Sequence, residues 1–173
     1  MPNYNSFGSI NVNTITSSEI ASSEGKIYAI TSAVKNLNQN QELGIYIGNP
    51  NGSDTSLNIL TICVGSSMEA TMDIILDGSL SDTKDGDITP YNLNTDYTDS
   101  SVTTVSYLVK TNANPTTGGN TLGSFSQASG VTIYPCNGSV KIDSNHSLAL
   151  RIKNMHGTVG VNYIAVNVIY MES

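Results

Sequence analysis

The residues whose types could do chemistry are few and far apart. Three carboxylates crowd the stretch Asp82-Thr83-Lys84-Asp85-Gly86-Asp87, and a loop so rich in oxygen donors suits a hard cation such as calcium. Setting Gly86 on the invariant glycine of an EF-hand loop puts Ser81 at position 1, Thr83 at position 3 and Asn92 at position 12. The carboxylates that motif requires are absent there, so it fails. Asp82, Asp85 and Asp87 remain candidates for a calcium site of another kind, weighed against a solvated turn, which the composition favours. Two histidines stand alone, His146 in Asn145-His146-Ser147 and His156 in Asn154-Met155-His156-Gly157, with no Cys or acidic partner at ligand spacing. They read as turn residues. A Ser-His-Asp triad assembles in space rather than along a chain, but there is no nucleophile elbow and the many serines single none out. No glycine-rich loop follows a strand and opens a helix, which leaves nucleotide binding without support. Cys63 and Cys136 could make one disulfide but are expected as free thiols, and no CxxC or Cys/His spacing points to zinc. The expectation is therefore no catalytic residue, no enzyme, and no cofactor beyond the calcium reading.

The bulk chemistry agrees. Charged residues are only 12% of the chain, about half the usual share of roughly 25%, and polarity comes instead from Asn, Ser, Thr and Gly. An apolar content of 38%, placed in β-period runs, argues against disorder. Neutral polar surfaces suit proteins that face an outside medium or pack against copies of themselves, because few charges need desolvation. The net charge is −7 and the seven Lys and Arg are scattered, which disfavours nucleic acid and anionic membranes as partners. The longest apolar run is far short of the ~20 residues that span a bilayer. Met1-Pro2-Asn3-Tyr4-Asn5-Ser6-Phe7 has neither a basic n-region nor an apolar h-region, so no signal peptide is expected. A virion or extracellular location then implies release by lysis, or a mature form whose signal was removed. The sequons at Asn51, Asn137 and Asn145 are chance matches in so Asn- and Ser-rich a chain. Nine Tyr could stack on sugars, but they are spread along the sequence, with no Trp and two Phe.

The elements that would position these residues are strands. Ser147–Lys153 alternates apolar and polar residues, and Gly160–Tyr170 is apolar on both faces for part of its length. The second predicts a central strand, or one lying against a neighbouring subunit. Further strands are expected over Lys26–Val34, Glu42–Gly48, Ser56–Val64, Ala70–Leu76, Ile88–Leu93, Ser101–Lys110, Leu122–Phe125, Val131–Tyr134 and Ser139–Ile142. Asn137-Gly138 reads as a two-residue hairpin turn joining the last two. No run has sustained helical periodicity. Residues 1–24 form a Ser/Thr/Asn-rich arm in which Phe7, Ile10, Val12 and Ile15 could add a strand to an adjacent subunit. Residues 25–173 form one all-β domain, an antiparallel two-sheet β-sandwich. Long connections favour a jelly roll over an up-and-down barrel, and the absence of Trp disfavours an immunoglobulin-like sandwich.

Several segments together resemble a family of small jelly-roll virion proteins of tailed phages that decorate heads or form head fibres and tail appendages. They are Gly44-Ile45-Tyr46-Ile47-Gly48-Asn49-Pro50-Asn51-Gly52-Ser53, Leu57–Val64, Thr89-Pro90-Tyr91-Asn92-Leu93-Asn94, Gly118-Gly119-Asn120-Thr121-Leu122 and the closing hydrophobic strand. The resemblance spans about residues 26–170 and is mostly turn chemistry. Two places depart from it: Ser144-Asn145-His146-Ser147-Leu148 stands where the family commonly has a Pro-Gly turn, and Ile169-Tyr170-Met171-Glu172 replaces a Trp-rich close. It implies a non-enzymatic structural protein that self-associates or binds a major capsid or other virion protein. The alternatives are a subunit of an extracellular bacterial or spore filament assembled through its N-terminal arm, and a carbohydrate-binding module that engages a host-surface glycan. Spore-appendage subunits usually carry Cys near the arm, and none precedes Cys63 here.

Overall fold

A computed structural model of the chain describes residues 17–155, 157 and 160–173. Its elements, numbered along the chain, are antiparallel strands and one short helix. One sheet has five strands in the order β11 (Gly130–Ile142), β3 (Leu57–Ser66), β13 (Asn162–Glu172), β1 (Ile27–Leu37) and β7 (Tyr91–Asn92). The other has six, β10 (Asn120–Gln127), β4 (Ala70–Leu76), β12 (Ser147–Asn154), β2 (Gln41–Gly48), β8 (Thr104–Thr111) and β6 (Gly86–Asp87). A small pair, β5 (Ser79–Leu80) with β9 (Thr116–Thr117), lies on the outer side of the six-stranded sheet. It reaches over Gly44, where a Cβ would stand 3.3 Å from Leu80 and 3.0 Å from Pro115.

Period-2 alternation explains the layering. On β3, Leu57, Ile59, Ile62 and Val64 are buried; on β12, Leu148, Leu150 and Ile152; on β13, Ile164, Val166, Val168 and Tyr170. These side chains, with Leu43, Ile45 and Ile47 of β2, form one cluster fed by both sheets, the arrangement of a β-sandwich. As expected, β13 is central, paired with β1 on one side and β3 on the other.

Buried asparagines fasten the connections. Asn162 is fully buried; its Oδ1 accepts from the backbone N–H of Ser67 and Met68, both at 3.1 Å, and its Nδ2 donates to Glu69 O at 3.2 Å. Asn154 Nδ2 donates to Leu37 O at 3.1 Å, and Asn49 Nδ2 to Ile142 O at 3.1 Å. A side-chain amide supplies donor and acceptor together, which a buried turn needs where no ladder partner exists.

Three details differ from expectation. Asn137-Gly138 does not turn a hairpin. It forms a bulge inside the single long strand β11, whose pairing with β3 jumps from Pro135↔Thr61 to Val140↔Ile59. Asn137 and Gly138 do take the positive φ values of a tight turn, 50° and 78°. However, both flanking segments find partners on the same neighbour, Cys136 is buried, and Ser139 Oγ donates to Cys136 O at 2.6 Å. Next, Ile88–Leu93 is not one strand; only Tyr91–Asn92 within it pairs, as β7, while Gly86–Asp87 just before it pairs as β6 in the other sheet. Finally, Ser17–Ser23, counted with the arm, forms the helix α1. Seven residues are too few to display a helical period, and packing holds them instead: Ala21 is buried, and Tyr97 Oη donates to Ser23 O at 2.9 Å. Gly25 ends the helix at φ 69°, where a Cβ would strike the Tyr97 ring at 2.2 Å. Phe7, Ile10, Val12 and Ile15 lie outside the described residues.

Candidate functional site

Register places the outward side chains of the five-stranded sheet in three rows. Val131, Gly65, Ala165 and Val34 form the first; Ile133, Cys63, Asn167 and Thr31 the second; Pro135, Thr61, Ile169, Ala29 and Tyr91 the third. Large apolar groups here are open to solvent: Val131 is 68% exposed, Ile133 63%, Val34 61% and Tyr91 63%, and Tyr163, next along β13, is 54% exposed. No Asp, Glu, Lys or Arg occurs in residues 131–135, 61–65, 163–169 or 29–34. The nearest basic residue along β1, Lys35, directs its ammonium over the Tyr107 ring, 3.6 Å from the centroid. Three strand spacings of ~4.8 Å and about seven residues of ~3.4 Å outline a face on the order of 350 Å². That is within the size of the largest exposed apolar patch on a typical monomer, which is often functional.

The opposite surface is its electrostatic contrary. Across the six-stranded sheet, Lys110, Glu42 and Lys153 share one row, and Arg151, Asp73 and Ser124 share the next. Arg151 Nε lies 3.0 Å from Glu42 Oε2 and 3.5 Å from Asp73 Oδ2. The first contact is an ion pair without hydrogen-bond alignment, because neither atom has a hydrogen-bond partner. Ser124 Oγ donates to Asp73 at 2.6 Å. Alternating signs on adjacent strands stabilise the pairing of the sheet.

The acidic loop disperses. Asp82 Oδ2 takes Lys110 Nζ at 3.2 Å, Asp85 Oδ2 accepts the Val109 N–H at 2.7 Å, and Asp87 pairs with Lys84 at 2.5 Å. The Thr83 N–H, then Lys110, hold the Asp82 carboxyl below the usual range. Each carboxylate already has a separate partner, and among the described residues no group of three or more His, Cys, Asp or Glu is placed to hold a metal ion.

His146 meets a carboxylate that spacing did not reveal: its Nδ1 lies 2.8 Å from Asp77 Oδ1, 69 positions away. That hydrogen bond holds the Asp77 carboxyl below the usual range. The neighbouring Ser147 hydroxyl donates to Gly78 O at 2.8 Å. The pair ties the β4–β5 turn to the start of β12. His156 lies outside the described residues. Cys63 and Cys136 are free thiols on adjacent strands; Cys63 is half-buried on the apolar face, and burial pushes the Cys136 thiol up.

One buried network escaped the sequence. Tyr170, fully buried and stacked on Tyr28 at 5.8 Å, places its hydroxyl 2.6 Å from Ser101 Oγ. Ser101 donates to Glu172 Oε1 at 2.5 Å, and the same oxygen accepts the Val102 N–H at 3.1 Å. Burial pushes the Tyr170 hydroxyl up to about 12, against the lowering effect of the bonds from Ser101 and Thr103. The carboxylate thus pins the 101–103 segment to the end of β13. Only the alternation of β13 hinted at Tyr170 and Glu172, and nothing pointed to Ser101.

No family model matches this chain, and neither a curated protein nor a solved structure does.

Proposed function

We propose that this chain is a non-enzymatic structural subunit that associates with copies of itself through the outward face of its five-stranded sheet. The observation that carries the reading is the block of three registered rows, mostly apolar and without a single charge, on a molecule of net charge −7. Copies of one chain repel wherever like charges meet, and an isologous contact sets a surface against itself. A face with no charge is where such copies approach at least electrostatic cost. Two sheets stacked face to face about 10 Å apart would then extend the layering already present in the molecule.

We read the fold as a jelly roll. If β8 is set aside as an added strand, eight long strands remain: β1, β2, β3, β4, β10, β11, β12 and β13. The first, eighth, third and sixth are neighbours in one sheet, and the second, seventh, fourth and fifth in the other. That order, two interleaved Greek keys, supports the reading. The resemblance of the turn segments to phage virion proteins favours a capsid decoration, head-fibre or tail-appendage role, with residues 1–24 as a further contact between subunits. Sedimentation and negative-stain imaging at about 0.1 mM test the proposal, since a contact stronger than about 5.5 kcal/mol populates assemblies there. Rings, fibres or dimers are expected, and a uniform monomer overturns it.

A further inference from the structure

We infer that an open trough on the outer side of the six-stranded sheet binds a neutral oligosaccharide. Two hollows, of about 620 Å³ and about 260 Å³, meet at Tyr46, Lys84 and Ser106. At this waist the Tyr46 ring lies down along β2, filling the space above Gly48. A Cβ at Gly48 would stand 2.3 Å from Tyr46 Oη and 2.6 Å from Cε1 and Cζ. Any larger residue at that position would lift the ring out of the trough. Thr89, Ser100 and Thr104 add exposed hydroxyls to the larger hollow, with Ser101 and Thr103 behind them. Ser101 and Thr103 are anchored from beneath, because Glu172 accepts from both hydroxyls, at 2.5 and 3.4 Å. This wall is therefore ordered before any ligand arrives, which lowers the entropy lost on binding.

The lining selects the ligand class. Lys84 is paired with Asp87 and Asp82 with Lys110, so the ions at the rim cancel and select no net charge. The chain's net charge of −7 further disfavours a polyanion. What remains is an aromatic ring beside a row of hydroxyls and two ion pairs, in a trough open enough for an extended chain. A pyranose has the complementary surface: a C–H face to lie against an aromatic ring, and a rim of hydroxyls to exchange hydrogen bonds with Ser, Thr and charged groups. The trough shares no residue with the three apolar rows, so its occupancy does not depend on self-association.

The test is titration of the full chain with cellohexaose, chitohexaose and maltohexaose by saturation-transfer NMR and calorimetry. At least one should bind at about 5 mM or below. Tyr46→Ala should weaken that binding about tenfold or more, Gly48→Val likewise, and Ile133→Asp on the far sheet should leave it unchanged. Tyr46 is outward and only half-buried, so its variant keeps the test open if Gly48→Val does not fold. No saturation transfer from any of the three sugars, or binding that Tyr46→Ala leaves intact, overturns the inference.

Discussion

Replacing Ile133 by Asp puts one carboxylate in the middle row of the apolar face. Val34, Tyr91, Val131, Ile133 and Tyr163 each leave more than half of their surface in water. Full burial of such a side chain is worth about 1.5–3 kcal/mol, so covering the exposed remainder yields about 1–2 kcal/mol apiece. Five per copy give about 5–10 kcal/mol, and a symmetric pair about 10–20 kcal/mol. Lost translational and rotational freedom opposes this with about 4–15 kcal/mol. At the middle of both ranges the proposed association would be favourable by about 5 kcal/mol. Ile133→Asp removes about 2–4 kcal/mol of burial per pair of copies and adds two carboxylates that must be desolvated or kept apart. Its affinity should fall at least a hundredfold, at about 1.4 kcal/mol per factor of ten. The monomer should hardly notice, because the position is exposed in the isolated chain, and the melting temperature of the dilute protein should be nearly that of the parent. Sedimentation velocity across a dilution series reads the difference. If Ile133→Asp associates as tightly as the parent, the face is not the contact and the reasoning fails.

Other outcomes follow from the interior and the loops. Asn162→Ala leaves the half-buried backbone N–H of Met68 without its acceptor and removes the amide that fastens the 67–69 turn, so urea unfolding should report a loss of about 1–3 kcal/mol. The Tyr170 hydroxyl titrates near 10.0 when unfolded and at about 12 when folded, so its contribution is complete below pH 10 and lost as pH rises toward 12. Two units correspond to about 2–3 kcal/mol, and denaturant melts of Tyr170→Phe should lack most of that alkaline fall, the remainder coming from buried Tyr28. Calcium and chelator should give the same melting temperature, because Asp82, Asp85 and Asp87 already have separate partners; a rise with calcium would show that they can be regathered.

The long strands were legible because their information is local. Ala70–Leu76 falls where alternation predicts it, and Gln41–Gly48 and Ser147–Asn154 within a residue of expectation at each end. What stayed hidden depends on partners distant in sequence. Asn137-Gly138 carries the dihedrals of a turn, yet becomes a bulge because β3 is long enough to pair with both flanking segments. The asparagines at 49, 154 and 162 looked like loop formers and proved to be buried fasteners, which only the carbonyls and amides of remote turns reveal. Asp77 and His146, 69 positions apart, meet only because β12 pairs with β4. Chemistry that looked concentrated at 82–87 was dispersed for the same reason: strand β8 supplies Lys110 and the Val109 N–H to two of its carboxylates.

The distribution of charge across the molecule joins these points. Glu42, Asp73, Lys110, Arg151 and Lys153 occupy the outside of the six-stranded sheet, with Asp82, Lys84 and Asp87 in the adjoining loop. The rows of the other sheet carry none. Stability does not require that asymmetry: Thr or Lys at positions 131 and 133 would pair on β11 as well as Val and Ile, and would cost nothing in the core. An edge strand with exposed Val131 and Ile133 is instead open to association, which monomers normally suppress with an outward lysine; Pro135 and the bulge at 136–139 blunt part of that edge. Here the only lysine on β11 is Lys141, beyond the bulge and paired to Asp143 at 2.8 Å. Charge withheld from this sheet and placed freely on the opposite one is the asymmetry that the proposed self-association would explain.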